Sequence, residues 1–520
     1  MRDESQLEDY LQSYFGYPSF RMGQKEIIND VMKGKDVLGV LPTGSGKSIC
    51  YQLPAMLLRG TTIVVSPLIA LMIDQVKQLK ANGFKSVVAL NSFVSPVEKK
   101  KIYQQLAHYK LVYASPELLQ NQVFLRYLDQ IEISLFVVDE AHCISQWGHE
   151  FRPDYLKLSP LIERFHHPTV LALSATATRT IQADIIKALN VPHMVRHIYP
   201  IDRPNIAFSV KKVNDEKEKI DVIVNFVSHY RVPTLIYFSS RQLTEDFSFE
   251  LSQRLSNRRI AFYHGGMDSV DRISIQQQFM NDQLDIICCT SAFGMGIDKN
   301  NIRLIIHYHM PSQLESYIQE VGRAGRDGQA SVSILLYEKN DECLPKHIIE
   351  NELPSEEELI FTFRMLNDFA RRKEELPADE ESLATLFQVS TVQWRFLYHQ
   401  FAKHGMVDEN VVLYDEENWQ QAFQHIKQFQ QQRLQHKKEK LTDMMAWIHE
   451  KDCLRKHLYK HFQSSYTEPA DQCCSNCGFS LQAWKPPETI VHHSTTYYSE
   501  NHWEDKLKKL LLIGDLHESK

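Results

Sequence analysis

Long apolar runs are missing from this 520-residue chain. No stretch of eighteen apolar residues occurs, which argues against a membrane-spanning helix. The opening residues, MRDESQLEDY, lack the basic and apolar regions of a secretory leader, so a cytoplasmic protein is expected. Positive charge is also scarce. The formal net charge is −7, whereas nucleic-acid binders are often basic. Global charge is a blunt measure, because binding depends on where the cations sit. Cysteines are few and odd in number, nine in all. Cys50, Cys143, Cys288, Cys289 and Cys343 are scattered through apolar or mixed segments and read as buried reduced thiols. No repeat of solenoid type is present.

What remains is a chain with 43% hydrophobic residues, enough for two to four domains. Residues 34–210 alternate apolar runs (DVLGVL, TTIVVSPL, ISLFVVDE, TVLALSAT) with helical stretches. Residues 233–336 repeat the design with PTLIYFSS, RIAFYHGG, LDIICCT, RLIIHYHM and SVSILLY. Short buried strands separated by helices indicate parallel sheets in α/β domains. Residues 205–230 read as the join between the two blocks. Residues 354–450 read as almost wholly helical. Within them, about 380–416 has the order of a winged-helix unit, with plain helical packing an equal alternative. Residues 421–460 carry nine Lys and Arg against four Asp and Glu, a pattern that most simply gives a solvated helix face.

Three motifs carry chemistry. Leu41-Pro-Thr-Gly-Ser-Gly-Lys-Ser48 joins a strand-like run to a helical one. Such a turn aims backbone N–H groups at phosphate. Thr43, Gly44, Ser45 and Gly46 would cradle a nucleotide, Lys47 would reach the β and γ phosphates, and Ser48 would hold Mg²⁺. The first glycine of the usual pattern is replaced by Leu41. Val137-Val-Asp-Glu-Ala-His142 delivers Asp139 and Glu140 at a strand's carboxyl end, where ligands of α/β sheets bind. Asp139 suits the Mg²⁺-associated position, and Glu140 suits preparation of an attacking water. In Gln319-Glu-Val-Gly-Arg-Ala-Gly-Arg-Asp327, Arg323 and Arg326 share one face if the segment is helical. Both suit neutralising charge on a transferred phosphoryl group from a second domain.

The order of PTGSGKS, DEAH, Ser174-Ala-Thr176 and QEVGRAGRDG resembles superfamily 2 helicases, and further segments resemble the RecQ family. Phe15-Gly-Tyr-Pro-Ser-Phe-Arg-Met-Gly-Gln24 is similar to that family's adenine-recognising motif, which implies contacts from Tyr17, Arg21 and Gln24. Ala141-His-Cys-Ile-Ser-Gln-Trp-Gly-His-Glu-Phe-Arg-Pro-Asp-Tyr155 is similar to its aromatic-rich loop. Trp147 and Phe151 would stack on unpaired bases, beside His149 and Arg152. Ser66-Pro-Leu-Ile-Ala-Leu-Met72, Ala114-Ser-Pro-Glu117, Tyr263-His-Gly-Gly266 and Thr290-Ser-Ala-Phe-Gly-Met-Gly-Ile-Asp298 resemble DNA-backbone motifs. They place Ser66 and His264 at DNA, and Asp298 and Gln319 near the nucleotide. The resemblance covers roughly residues 5–340.

The resemblance implies an α/β fold with two tandem RecA-like parallel-sheet domains, at 1–207 and 208–345. A helical, winged-helix-like segment (346–420), a zinc-binding helical module (421–482) and a tail (483–520) would follow. It also implies a four-cysteine zinc site. Cys453, Cys473, Cys474 and Cys477 are the expected ligands, with Asp471 in reserve if adjacent cysteines cannot both turn inward. The module's expected role is to hold the basic helices as a DNA-facing platform.

Two departures stand out. About 125 residues separate Arg326 from Cys453, and the winged-helix-like segment fills that gap instead of following the zinc module. Only 43 residues follow Cys477, an arrangement resembling a short bacterial subgroup without the helical accessory domain. The expected activity is ATP-dependent 3′-to-5′ unwinding of DNA, in repair and recombination, with ATP, Mg²⁺ and Zn²⁺ as cofactors. The expected partners are single-stranded and duplex DNA, single-stranded-DNA-binding protein and other repair factors, with the enzyme at the nucleoid. The alternatives are an RNA-unwinding ATPase of the same superfamily and a nucleotide-dependent DNA-binding regulator.

Overall fold

The computed structural model describes residues 6–91, 94–145, 152–294, 299–463, 468–469 and 472–486. The first sheet has seven strands: β1 Val37–Val40, β2 Thr61–Val65, β3 Val87–Leu90, β4 Leu111–Ala114, β5 Ile133–Val138, β6 Thr169–Ser174 and β7 Val195–Ile198. Their order is β3-β4-β2-β5-β6-β1-β7, and every pairing is parallel. The second sheet uses β8 Ile206–Val213, β9 Thr234–Tyr237, β10 Ile260–Tyr263, β11 Ile286–Cys289, β12 Leu304–His307 and β13 Ser331–Glu338. Its order is β10-β11-β9-β12-β13-β8, again all parallel. Central strands such as β1, β2, β4 and β12 are buried along their whole length, as expected where helices cover both faces.

The join lies earlier than expected. Ile206–Val213 pairs along all eight residues with β13, so residues 206 and 207 belong to the second sheet, not to a first domain ending at 207. The helix Glu216–His229 belongs with it, packed through Val222, Ile223 and Val227. The crossing itself is the short stretch between β7 and β8.

Beyond β13, helices Glu356–Arg372, Glu380–Leu386 and Thr391–Lys403 precede an antiparallel hairpin of β14 Val407–Asp408 and β15 Val411–Val412. Ser355 with Glu358 and Ser390 with Gln393 close capping boxes that fix two of the helix starts. Three helices and a hairpin stand here in the expected order, and the first helix begins well before residue 380. Leu359, Leu366, Phe387, Trp394, Phe401 and Trp419 form its own core.

The helix Glu416–Ile448 then runs back to the second sheet. Its lower end merges with the main core, where Trp447 packs against Tyr317 with ring centroids 4.6 Å apart and the planes tilted by 46°. The basic stretch is not a free cationic face. Lys427, Arg433, Lys437, Lys438, Lys440 and Arg455 all pair with carboxylates. Trp484, assigned above to the tail, is buried against Tyr230 in the second domain.

Candidate active site and metal centre

The phosphate loop leaves β1 at its carboxyl end and enters helix Ile49–Leu57. Gly44 and Gly46 sit at φ +81° and +75°, a region that side chains disfavour. Ser45 Oγ is buried without a hydrogen-bond partner among the described residues. β5, two strands away, delivers Asp139 and Glu140 to the same edge. Lys47 Nζ lies 3.7 Å from Glu140 Oε1. Glu140 holds φ +47°, a strained setting of the kind that collects at functional sites. Burial, and then the charge of Glu140, push the Asp139 carboxyl up to about 7, with Lys47 opposing. A divalent cation beside it would favour the ionised carboxylate, and Asp139 with Ser48 offers oxygen ligands of the kind Mg²⁺ takes.

The third strand end adds a relay. His142 Nδ1 stands 3.3 Å from Glu140 Oε2 and 3.1 Å from Ser174 Oγ. Ser174 Oγ also accepts from the Thr176 backbone N–H at 3.3 Å. The Ser-Ala-Thr segment is thereby tied to the Glu140 carboxylate.

Arg21 and Gln24 brace the loop from behind. Arg21 donates to the Gly44 carbonyl at 2.7 Å. The Gln24 carboxamide donates to the Ser45 and Gly46 carbonyls at 2.9 and 3.0 Å and accepts from the Arg21 backbone at 2.9 Å. Both residues, with Tyr17, Phe20 and Ser48, line a cavity of about 370 Å³, and Asn300 approaches from the second domain. That volume is within the range of small-molecule pockets, and Tyr17 is half exposed above it.

Across the cleft, the two candidate arginines separate. Helix Leu314–Val321, which carries the buried Gln319, stops at Gly322. Arg323 and Arg326 therefore do not share a helical face. Arg323 is buried and donates to the Gly294 carbonyl of its own domain. Arg326 lies over the phosphate loop, where a Cβ on Gly44 would meet its Cγ at 2.7 Å. Gly322 allows the close approach of Thr43, whose Cβ would sit 2.8 Å from a side chain there.

Sequence reasoning missed one residue here. Arg203, between the sheets, donates to the Thr43 carbonyl at 2.9 Å and to the carbonyls of Gly322 and Ala324, each at 3.3 Å. Its guanidinium is pushed down from the ordinary arginine value by burial, then by Arg326 and Arg21 among its neighbours. Three arginines thus gather at one glycine-rich loop, as expected where an anion belongs.

On the DNA-motif side, Ser66 is buried and its hydroxyl has no partner among the described residues. His264 is also buried. Its Nε2 meets Glu245 at 2.6 Å and its Nδ1 accepts from the Gly266 N–H at 3.2 Å, so it shapes the following turn. Arg152 lies 4.0 Å from Glu117. Trp147, His149, Phe151, Asp298 and Asp471 lie outside the described residues. Ser145, the last described residue before the aromatic segment, bonds Asp184 at 2.6 Å directly after the turn Ala141–Ile144.

Among the described residues, the four expected cysteines come together. The four sulfurs of Cys453, Cys473, Cys474 and Cys477 all lie within 4.8 Å of one another, and Cys453 and Cys473 approach to 3.5 Å. Zn–S bonds of about 2.3 Å in a tetrahedron need sulfurs about 3.8 Å apart, so the set fits zinc. Burial and the neighbouring thiols hold the Cys477 thiol well above its usual range, a crowding that a cation would relieve.

Comparisons with known proteins agree with this geometry. Residues 21–183 match the DEAD/DEAH box helicase family, 218–328 the helicase conserved C-terminal domain and 414–478 the RecQ zinc-binding family. The chain is 42% identical over 517 residues to the probable ATP-dependent DNA helicase RecS of Bacillus subtilis (strain 168), covering 98% of this chain and 100% of that one. It is 41% identical over 337 residues to the ATP-dependent DNA helicase RecQ of Haemophilus influenzae, covering 64% of this chain and 53% of the relative. The solved DUF1998 helicase MrfA bound to DNA shares the fold over 67% of this chain and 53% of its own, with a TM-score of 0.56 at 19% identity. Among the described residues, no helix is long and apolar enough to cross a membrane.

Proposed function

The chain belongs to the RecQ family of ATP-dependent DNA helicases, and from that premise we propose that it moves 3′ to 5′ along one DNA strand and opens the duplex ahead, in DNA repair and recombination. The observation that carries the motor reading is Arg326 of one domain lying against Gly44 in the phosphate loop of the other. An ATP-driven motor needs its two halves to meet at the γ-phosphate and to part after hydrolysis.

ATP sits between the domains, with its base against Tyr17 and Gln24. The carboxamide oxygen of Gln24 keeps a lone pair for the exocyclic amine, while its nitrogen holds the loop. Lys47, now 3.7 Å from Glu140, turns to the β and γ phosphates and leaves Glu140 to the water. Ser48 and Asp139 would hold Mg²⁺, which would supply positive charge beside the phosphates. Glu140 takes the proton of the attacking water as the bond from the γ-phosphorus to ADP breaks. Arg326 neutralises the charge that develops, and Arg323 joins it only if it leaves the Gly294 carbonyl. His142 carries the state of Glu140 to Ser174 and Thr176.

The DNA strand crosses the Ser66 and His264 turns of the two domains. Trp147, His149, Phe151 and Arg152, directly after the catalytic turn, sense unpaired bases there. Backbone contacts make this binding salt-sensitive and largely independent of sequence. Single-stranded-DNA-binding protein and other repair factors are the proposed partners, and the nucleoid in the cytoplasm is the proposed site of action.

The test uses duplexes with a single-stranded tail on either the 3′ or the 5′ side. Unwinding of the 3′-tailed duplex alone, lost in Lys47→Ala while DNA binding persists, is the expected result. Equal unwinding of both duplexes would overturn the polarity. Retained turnover in Lys47→Ala would overturn the phosphate-loop assignment.

A further inference from the structure

The zinc-module helix Leu454–Tyr459 begins one residue after Cys453 and carries a fully buried arginine. Arg455 donates to Asp202 Oδ1 at 2.5 Å, to the Arg203 carbonyl at 3.1 Å and to the Ile206 carbonyl. Its guanidinium also stands 4.7 Å from the centre of the Phe208 ring. From the same module, Gln463 Oε1 accepts from the backbone N–H groups of Ile201 and Asp202 at 3.0 and 3.3 Å. The Cys473 carbonyl accepts from the Phe208 N–H at 3.2 Å. The crossing between the two sheets lies between Ile198 and Ile206, so one small module grips both the crossing, at residues 201–203, and the start of β8, at Ile206 and Phe208.

The grip ends one residue from the nucleotide cleft. Arg203, whose own carbonyl Arg455 holds, sends its side chain to Thr43 on one wall and to Gly322, Ala324 and Gly325 on the other. Asn205 adds a bond to the Gly325 carbonyl at 2.8 Å. All these acceptors of Arg203 are backbone carbonyls, one in the phosphate loop and the others in the segment that carries Arg323 and Arg326. The segment it holds on the second-domain side is the one that ends in Arg326.

We propose that Arg455 is a positioning residue for ATP hydrolysis: through Asp202 and the crossing backbone it sets Arg203, and Arg203 holds the closed cleft with Arg326 over the phosphate loop. The cysteine module is then part of the motor's hinge as well as a support for the helices around it. Stability alone is a weak reason for such a pair. Removing two opposite charges from water costs several kcal/mol per ion, and well-packed apolar residues often replace a buried pair without loss. A buried pair that also fixes two backbone carbonyls at a hinge does something apolar residues cannot.

The inference rests on the reading of Arg326 as the charge-neutralising arginine, and the test separates the two. Arg455→Lys, Asp202→Asn and Arg203→Gln are compared in the full chain, together with Arg455→Lys/Arg203→Gln and Arg326→Ala. The readouts are DNA-stimulated kcat, equilibrium binding of a non-hydrolysable ATP analogue, zinc content, and hydrogen exchange of residues 322–329 with analogue and single-stranded DNA bound. Misplacement of about an ångström can cost a hundredfold in rate, so kcat is expected to fall about 10- to 100-fold in each single variant. Zinc content should stay within about twofold, and analogue affinity should fall far less than kcat, because the open site still binds nucleotide. Protection of 322–329 should be lost, and the double variant should be no slower than Arg203→Gln.

Unchanged kcat in Arg455→Lys and Asp202→Asn would overturn the inference, as would additive losses in the double variant. A fall in kcat accompanied by matching loss of zinc would also overturn it, since that is the mark of a merely structural residue. If Arg455→Lys does not fold, Asp202→Asn and Arg203→Gln carry the same comparison. Normal turnover in Arg326→Ala would instead remove the role given to Arg326, leaving the hinge result to stand on its own readouts.

Discussion

Replacing Gly44 with alanine tests the closed cleft at its tightest point. The backbone there sits at φ +81°, and the left-handed region costs a side chain about 1–2 kcal/mol. That cost should appear as lost folding stability. The new Cβ would also lie 2.7 Å from Arg326 Cγ, 3.1 Å from its Cδ and 3.2 Å from an Arg203 guanidinium nitrogen. The first contact is with the stem of Arg326 near its root, so that side chain must move away from the phosphate site. An arginine at a transferred phosphoryl group contributes about 10³–10⁵ in rate. Partial displacement should therefore lower DNA-stimulated kcat by about 10²–10³, within that contribution. The assay is steady-state ATP turnover at saturating single-stranded DNA, with thermal unfolding run in parallel. In an Arg326→Ala background the clash with the Arg326 stem disappears and only the 3.2 Å contact with the flexible end of Arg203 remains, so Gly44→Ala should still cost stability but add little to the kinetic loss. An undiminished kinetic loss in that background would refute the steric reasoning, and so would an unchanged kcat in the single variant.

Two further expectations concern the same site and a third the cysteine cluster. Glu140→Gln should lower kcat by about 10²–10⁴ while nucleotide still binds, read by turnover and by analogue binding, because only the proton acceptor is lost. Asp139 has a folded-state value raised to about 7, so its contribution to stability is present below the unfolded value and is lost as pH rises through about 7. Thermal midpoints of the metal-free protein should therefore fall between pH 5 and pH 8, and Mg²⁺ should restore stability at pH 8 but not at pH 5. Cys477→Ser should reduce zinc below one equivalent per chain by metal analysis, whereas Cys343→Ser, exposed and outside the cluster, should leave it unchanged.

The two parallel sheets were legible because their strands are buried apolar runs with turn residues between them. The phosphate loop and the Asp139–Glu140 pair were legible because each lies at a strand end in one continuous segment. The arginine pair was read less well. Spacing of i and i+3 gives a shared face only inside a helix, and Gly322 ends that helix before Arg323 is reached. The join was placed late because β8 carries Lys211 and Lys212 at the sheet's edge, which made a fully paired strand look like a linker. The basic stretch hid its role for a related reason. Its carboxylate partners lie far away in sequence: Glu315 is 125 residues from Lys440, and Asp202 is 253 from Arg455. Arg203 left no signal at all, because backbone carbonyls of any residue type can accept its bonds.

The most direct test of the central claim is ATP turnover by the purified chain with no nucleic acid, with single-stranded DNA and with RNA of matched sequence. Strong stimulation by DNA alone is the predicted result, since the cleft must close around ATP while a DNA strand spans both domains. Turnover that is indifferent to DNA, or higher with RNA, would contradict the account.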